Sequence, residues 1–168
     1  MLQVLVADSD PLVRETLALG LEAYCAARVV RCGTGAAAIE AMQRQRLDAA
    51  VLEADLPDIS GFAVADRAGT MNIPVLLIPG RPDHALICRD YGYPCLLKPL
   101  LPTTLAEETL GIIRRAKENI DRVQASGEML KQTFADLTEA IQTARRSTAE
   151  SAAMRTIRVA KIGRDPFR

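Results

Sequence analysis

Five short apolar segments, each followed by a segment of helical character, occupy the first hundred residues of the chain. The apolar segments are LQVLVA (2–7), ARVVRC (27–32), AAVLE (49–53), IPVLLI (73–78) and CLL (95–97). Near-continuous apolar strands are typical of parallel sheets that carry helices on both faces. The alternation therefore predicts an α/β fold built on a five-stranded parallel sheet.

Acidic residues and one lysine follow the ends of the predicted strands. The acids are Asp8, Asp10, Glu53 and Asp55, and the lysine is Lys98. The carboxyl ends of parallel strands meet at one edge of the sheet, where binding sites form. A carboxylate buried there costs free energy unless it is paired. We therefore expect the acids and the lysine to converge.

Composition excludes several classes of protein. Hydrophobic residues make up 49% and charged residues 25% of the 168 residues, as in ordinary globular domains. No apolar run reaches the roughly 20 residues of a membrane span, and the N-terminus lacks an export signal. Four cysteines without CxxC spacing and a single histidine predict reduced thiols and no zinc site. We expect a cytoplasmic protein without membrane association.

Four stretches resemble the receiver domain of two-component response regulators. They are VLVADSDPLVRE (4–15), LDAAVLEADLPDISG (47–61), IPVLLIPG (73–80) and LLKPLLPTTL (96–105). The resemblance implies a flavodoxin-like fold that takes a phosphoryl group from a histidine kinase onto an aspartate after strand three. It also implies Mg²⁺, held by that aspartate, by an acid after strand one and by a backbone carbonyl two residues past the phosphorylation site. A Ser or Thr after strand four and a Lys after strand five bind the phosphoryl oxygens in this family.

Several residues keep the family's pattern. Asp8 matches the first acid after strand one, and Asp55 matches the residue that offers its carbonyl. Lys98-Pro99 matches a Lys-Pro pair whose peptide bond is usually cis in the family. Asp10 is suited to cap the helix that begins at Pro11, although it is also a candidate replacement metal ligand.

Four positions depart from the pattern. Glu53 stands where the phosphoacceptor aspartate is expected, Ser9 replaces a charged metal ligand, Pro79 replaces the hydroxyl residue, and Cys95 lies near the aromatic switch position. The extra methylene of Glu53 displaces its oxygen by more than about 1 Å, and a shift of about that size can cost roughly 10²-fold in rate. Mg²⁺ needs charged oxygen ligands, and proline has neither hydroxyl nor N–H. We expect no catalytic residue, no resident metal and at most weak Mg²⁺ binding.

Glu53 has three possible roles. It reaches Lys98 and substitutes for the charge of a phosphoaspartate, or it is a tolerated acid that Lys98 neutralises. In the third, Glu53 itself accepts a phosphoryl group. The first two roles predict a salt bridge between Glu53 and Lys98.

A heptad pattern dominates the second half of the chain. Apolar residues recur at intervals of three and four, and we call the following set the seam: Ile113, Ala116, Ile120, Val123, Gly127, Leu130, Phe134, Leu137, Ile141 and Ala144. Such a pattern over more than four heptads is typical of a coiled coil. The alternatives are an amphipathic helix packed on its own domain, and a helical hairpin that breaks at Gly127. The seam predicts a homodimer.

The C-terminal segment 145–168 is basic, with seven Lys or Arg against two Asp or Glu, a net charge of +5. A segment of this kind binds nucleic-acid phosphates, binds an acidic partner, or is simply solvated. It is too short for a helix-turn-helix, and it lacks the helical pattern of an RNA-binding antiterminator module.

The sequence thus predicts a receiver-like domain (1–104), an extended helix (105–160) and a basic tail (161–168). The leading hypothesis is a non-enzymatic, atypical response regulator that acts through phosphorylation-independent contacts with another signalling protein, such as a kinase, a regulator or an output protein. The alternatives are a transcriptional or antitermination regulator that binds nucleic acid through 145–168, and a phosphoacceptor receiver that uses Glu53.

Overall fold

The computed structural model describes the backbone of residues 1–162, and the side chains of that range except those of residues 151 and 155–162. The strands are β1 (Gln3–Ala7), β2 (Arg28–Cys32), β3 (Ala49–Leu52) and β4 (Val75–Leu77). The helices are α1 (Pro11–Cys25), α2 (Gly35–Arg44), α3 (Gly61–Thr70), α4 (Pro82–Tyr91) and α5 (Pro102–Ile162). The predicted alternation of strands and helices is confirmed up to β4.

The sheet is parallel and has the order β2-β1-β3-β4. β1 lies between β2 and β3. The chain places β2 on one side of β1 and then places β3 and β4 on the other side, so the strand order reverses at β1. In the register, Ala7 lies opposite Cys32 on one side and Leu52 on the other. Residues that follow β1 and β3 therefore emerge side by side at one edge of the sheet.

The prediction of a fifth strand is wrong within the described residues. Residues 95–97 form a single bridge, in which Cys95 lies opposite Leu77. The amide of Leu77 donates to the carbonyl of Pro94, and the amide of Leu96 donates to the carbonyl of Leu77. Extending the ladder in either direction requires an N–H from Pro94 or Pro79, and proline has none. The two prolines therefore limit this pairing to one bridge.

The helices cover both faces of the sheet. On one face, Leu17 and Leu21 of α1 pack with Leu105 and Ile112 of α5. The other face is covered by α2, α3 and α4, which contribute residues such as Met42, Val64 and Cys88. Gly20 permits the close contact between α1 and the start of α5, because a side chain there would meet Pro102.

The chain divides into two units, one comprising Met1–Asn119 and one that begins at Ile120. Leu105 and Thr109 are fully buried in the first unit, which therefore extends beyond the boundary predicted at residue 104. The described part of the second unit is α5 from Ile120, and the helix continues through Gly127, so the alternative of a helical hairpin is wrong. Residues 163–168 of the predicted basic tail lie outside the described residues. Among residues 1–162 no helix combines the length and apolarity that crossing a membrane requires.

Candidate functional site

Asp8 and Glu53 lie next to each other at the carboxyl edge of the sheet. Each follows its strand by one residue, and the amide of Glu53 donates to the carbonyl of Ala7 over 2.8 Å. Both side chains are buried, with 2% of Asp8 and 8% of Glu53 exposed. Two carboxylates this close repel each other in the low dielectric of a protein interior, so they require a compensating cation.

The turn after Glu53 is shaped by the glycine that closes the VLEADLPDISG stretch. Gly61 donates its amide to the carbonyl of Ala54 over 2.9 Å. A side chain at Gly61 would overlap the carbonyl of Glu53. Ser60 caps α3 by accepting a hydrogen bond from the amide of Ala63. The glycine thus lets the start of α3 pack directly against Glu53.

Lys98 supplies the compensating cation. Its ammonium donates to Oδ2 of Asp8 over 2.6 Å and also to Oε2 of Glu53. The amide of Lys98 donates to the carbonyl of Pro79, which holds the lysine backbone beside the end of β4. The Lys98–Pro99 peptide bond is cis, as the resemblance implied. The predicted salt bridge between Glu53 and Lys98 is present, and it includes Asp8.

Backbone amides satisfy the other oxygen of each carboxylate. Oε1 of Glu53 accepts from the amides of Ala54, at 2.8 Å, and Asp55, at 3.3 Å. Oδ1 of Asp8 accepts from the amide of Asp10 at 2.9 Å. All four carboxylate oxygens are therefore engaged, and the longer side chain of Glu53 folds back onto the turn that follows it.

The pKa of Lys98 reflects two opposing effects. Burial by itself lowers the pKa, because it disfavours the charged ammonium, but the hydrogen bonds to Asp8 and Glu53 outweigh burial and raise it overall. Lys98 is therefore held in its charged form. The result is a closed cluster of one cation and two anions, which we call the Lys98 cluster.

The other predicted site residues lie around the Lys98 cluster without joining it. Asp10 caps α1 by accepting from the amides of Leu12 and Val13, as predicted. Ser9 is exposed, and Pro79 is buried. Cys95 is half-buried and packs against the core beneath α4.

The only histidine of the chain, His84, has a side chain that is only 15% exposed. Nδ1 lies 3.3 Å from Oδ2 of Asp55, and the ring makes an edge contact with Phe62 at 5.8 Å. The sequence contains one signal for this contact, which is the position of His84 in the first turn of α4. That turn lies at the same edge of the sheet as Asp55.

The residues at this edge fit Mg²⁺ poorly. Hard cations need several charged or carbonyl oxygens. Here Ser9 offers no charge, and the carboxylates of Asp8 and Glu53 already neutralise Lys98. Within the part of the chain that the structure describes, no group of three His, Cys, Asp or Glu is placed to hold a metal ion. A divalent ion would have to compete with the ammonium for the same two carboxylates.

The seam in the second unit forms an apolar stripe. Ile120, Val123, Leu130, Phe134, Leu137 and Ile141 are each between 47% and 72% exposed. Ile113 differs from them, because it lies in the first unit and packs against the core formed by α1 and the sheet. The exposed part of the predicted dimer seam therefore begins at Ile120.

Comparisons with known proteins agree with this architecture. The response regulator receiver domain family matches residues 4–109. A receiver domain of the response regulator NarL from Mycobacterium tuberculosis is 28% identical, with a TM-score of 0.60 over 67% of this chain and 96% of that one. A receiver protein from Sinorhizobium medicae WSM419 is 22% identical, with a TM-score of 0.63 over 68% of this chain and 96% of that one, and supports the fold alone.

Two curated relatives are transcriptional regulatory proteins. TcrX of Mycobacterium tuberculosis, a probable regulator, is 38% identical over 80 residues, which cover 46% of this chain and 34% of that protein. BtsR of Salmonella typhi is 27% identical over 136 residues, which cover 78% of this chain and 56% of that protein. This chain thus spans about a third to just over half of the length of these relatives. Because the family match covers most of the chain, and the fold agrees with it, this protein belongs to the response regulator receiver domain family.

Proposed function

We propose that this chain is an atypical response regulator whose receiver domain acts through protein–protein contacts that do not depend on phosphorylation. The observation that carries the proposal is the Lys98 cluster. Phosphoryl transfer to a receiver needs a free carboxylate, a metal and a lysine that can bind the incoming phosphoryl group. Here Glu53 is held by Lys98 and by two amides, and Lys98 is held by two carboxylates. Neither group is free for the chemistry.

In this proposal Glu53 replaces the charge that a phosphoaspartate would present to Lys98. Its extra methylene brings Oε2 within hydrogen-bonding distance of the ammonium, while Oε1 stays on the turn. Pro79, which has no hydroxyl, cannot respond to a phosphoryl group. The receiver unit is then fixed in one signalling state, and a kinase, regulator or output protein recognises that state.

Intact-protein mass spectrometry after incubation with acetyl phosphate and Mg²⁺ tests the proposal. We expect no phosphoryl adduct on the wild-type chain. The matched positive control is the triple variant Ser9→Asp, Glu53→Asp, Pro79→Ser, which restores the family's residue types and should become labelled. A stable adduct on the wild-type chain that Glu53→Gln abolishes would show instead that Glu53 is a phosphoacceptor.

We further propose that the seam joins two copies of the chain. Each copy has six exposed seam side chains that a dimer would bury. Allowing for their partial exposure, the side chains of both copies together contribute on the order of 10–20 kcal/mol. Association costs about 4–15 kcal/mol. The balance favours a dimer at micromolar concentrations. An isolated helix of this kind would leave a long apolar stripe in water.

Nucleic-acid binding is the second candidate function. The named relatives are transcriptional regulatory proteins, and residues 145–168 carry a net charge of +5 from seven basic and two acidic residues. Most of the side chains of this segment lie outside the described residues. A gel-shift assay at low and physiological salt, with the full chain and a chain ending at residue 144, separates the functions. Loss of binding on truncation at physiological salt would favour a nucleic-acid regulator.

A further inference from the structure

Residue sizes along the seam argue against a parallel pair of helices. In a parallel dimer each seam residue meets its own copy. Gly127 would then face Gly127 and leave a void, while Phe134, one heptad later, would face Phe134 in an overfilled layer. Voids and overpacking both destabilise a core. Among the described residues, no atom lies within 4 Å of a side chain placed at Gly127.

Antiparallel pairing removes both problems. Laying the seam from Ala116 to Ile141 over its own reverse centres the pair between Glu128 and Met129. Gly127 then meets Leu130 of the second copy, so that the open space at the glycine receives a large side chain. Val123 meets Phe134 and Ile120 meets Leu137 in the same way. The smallest and largest seam residues are each paired with a partner of compensating size.

The ends and flanks of the seam fit the same arrangement. Ile141 meets Ala116 of the second copy, which again pairs a large residue with a small one. On the flank of the seam, Lys131 lies beside Gln124 of the second copy. Lys131 therefore does not meet a cation of the other chain at this position. A register shifted by one heptad would bring Lys131 close to Lys131 of the other chain, where like charges repel.

We propose that the exposed seam is occupied by a second copy of this chain, in antiparallel orientation and centred between Glu128 and Met129. The exposed stripe from Ile120 to Ile141 is about 32 Å long at 1.5 Å per residue, and both copies contribute its full length. The inference rests on the dimer proposed above and adds its orientation and register. Residues 145–162 of the two copies then lie at opposite ends of the pair, so the positive charges on these residues do not reinforce each other.

Pulsed electron paramagnetic resonance distances between nitroxide labels test the orientation. The labels are placed singly at Ala125, Gln132 and Glu139, which lie on the exposed face opposite the seam. A genetically encoded ketone side chain carries each label, so the four native cysteines stay unmodified. In the proposed pair the two labels are offset along the axis by about 10 Å at Ala125 and at Gln132, and by about 32 Å at Glu139.

We therefore expect equal distances at Ala125 and Gln132 and a clearly longer one at Glu139. Three equal distances would show a parallel dimer, and Gln132 as the single shortest distance would show the shifted register. Either result overturns this inference but leaves the dimer intact. Absence of dipolar coupling in all three samples would show a monomer and overturn the dimer as well. Leu130→Asp with Leu137→Asp should abolish the coupling, and Met129→Asp, outside the seam, should leave it.

Discussion

Lys98 neutralises two buried carboxylates, so its removal should be costly. Lys98→Met leaves Asp8 and Glu53 facing each other without a cation, and breaking a buried ion pair in this way costs about 3–5 kcal/mol. Urea unfolding should show a loss of that size. The control is Arg44→Met, which removes an exposed ion pair with Glu40 and should cost less than about 1 kcal/mol. Equal losses for the two variants would mean that the Lys98 cluster is not stabilising.

The raised pKa of Lys98 makes stability depend on alkaline pH. The pKa is higher in the folded state than the value of about 10.4 for an unfolded lysine. The stabilisation from this group is therefore fully present below about pH 10.4, and it is lost as pH rises through the folded-state pKa. Unfolding free energies measured from pH 8 to 11 should fall more steeply for the wild type than for Lys98→Met. Parallel pH profiles would contradict the shift.

The sequence was sufficient to predict which side chains meet at the site but not how they are held. Asp8, Glu53 and Lys98 follow strand ends, and strand ends of a parallel sheet share one edge. The capture of Glu53 by the amides of Ala54 and Asp55 depends on the backbone path of the turn, which side-chain spacing does not reveal. The burial of His84 depends in the same way on how α4 packs against α3.

Proline explains why the fifth strand fails, and it offers a test. Pro79→Ala supplies an N–H that can donate to the carbonyl of Leu96 and extend the single bridge. The new amide should exchange with solvent deuterium slowly. The control is Pro82→Ala at the start of α4, where the first amides of a helix have no partner within the helix, so that its amide should exchange fast. Fast exchange at both positions would mean that something besides proline ends the ladder.

Most other elements were predictable because their signals are local. Pro11 and Pro82 each begin a helix, and Asp10, Thr34 and Ser60 cap helices through their side chains. The fifth strand was not predictable from its apolar residues, because its failure depends on Pro94, which precedes them, and on Pro79, which lies across the ladder. Gly127 suggested a hairpin, but one glycine costs a helix only about 1 kcal/mol, which its neighbours can offset.

The assembly state of the molecule can be measured directly. Light scattering at micromolar concentration should give twice the chain mass of 18.2 kDa. Leu130→Asp with Leu137→Asp places charges in the seam and should return the mass to that of one chain. Met129→Asp introduces one aspartate outside the seam, and this variant should remain a dimer. A monomeric wild type would contradict the proposed dimer.

The division of the chain into units was predictable in outline only. The start of α5 was placed in the helical extension, which was predicted to begin at residue 105. In the structure Leu105, Thr109 and Ile112 complete the core on one face of the sheet. Composition describes the whole helix, whereas burial depends on which turns lie against the sheet.

Phosphorylation-independence is the central claim, and nuclear magnetic resonance tests it most directly. Beryllofluoride with Mg²⁺ imitates a phosphoryl group on a receiver aspartate. Titrating it into the ¹⁵N-labelled chain should leave the amide signals of Glu53, Asp55 and Lys98 unchanged, because the Lys98 cluster already engages the carboxylates and the ammonium. The triple variant Ser9→Asp, Glu53→Asp, Pro79→Ser should show saturable shifts under the same conditions. Saturable shifts of those signals in the wild-type chain would contradict the account.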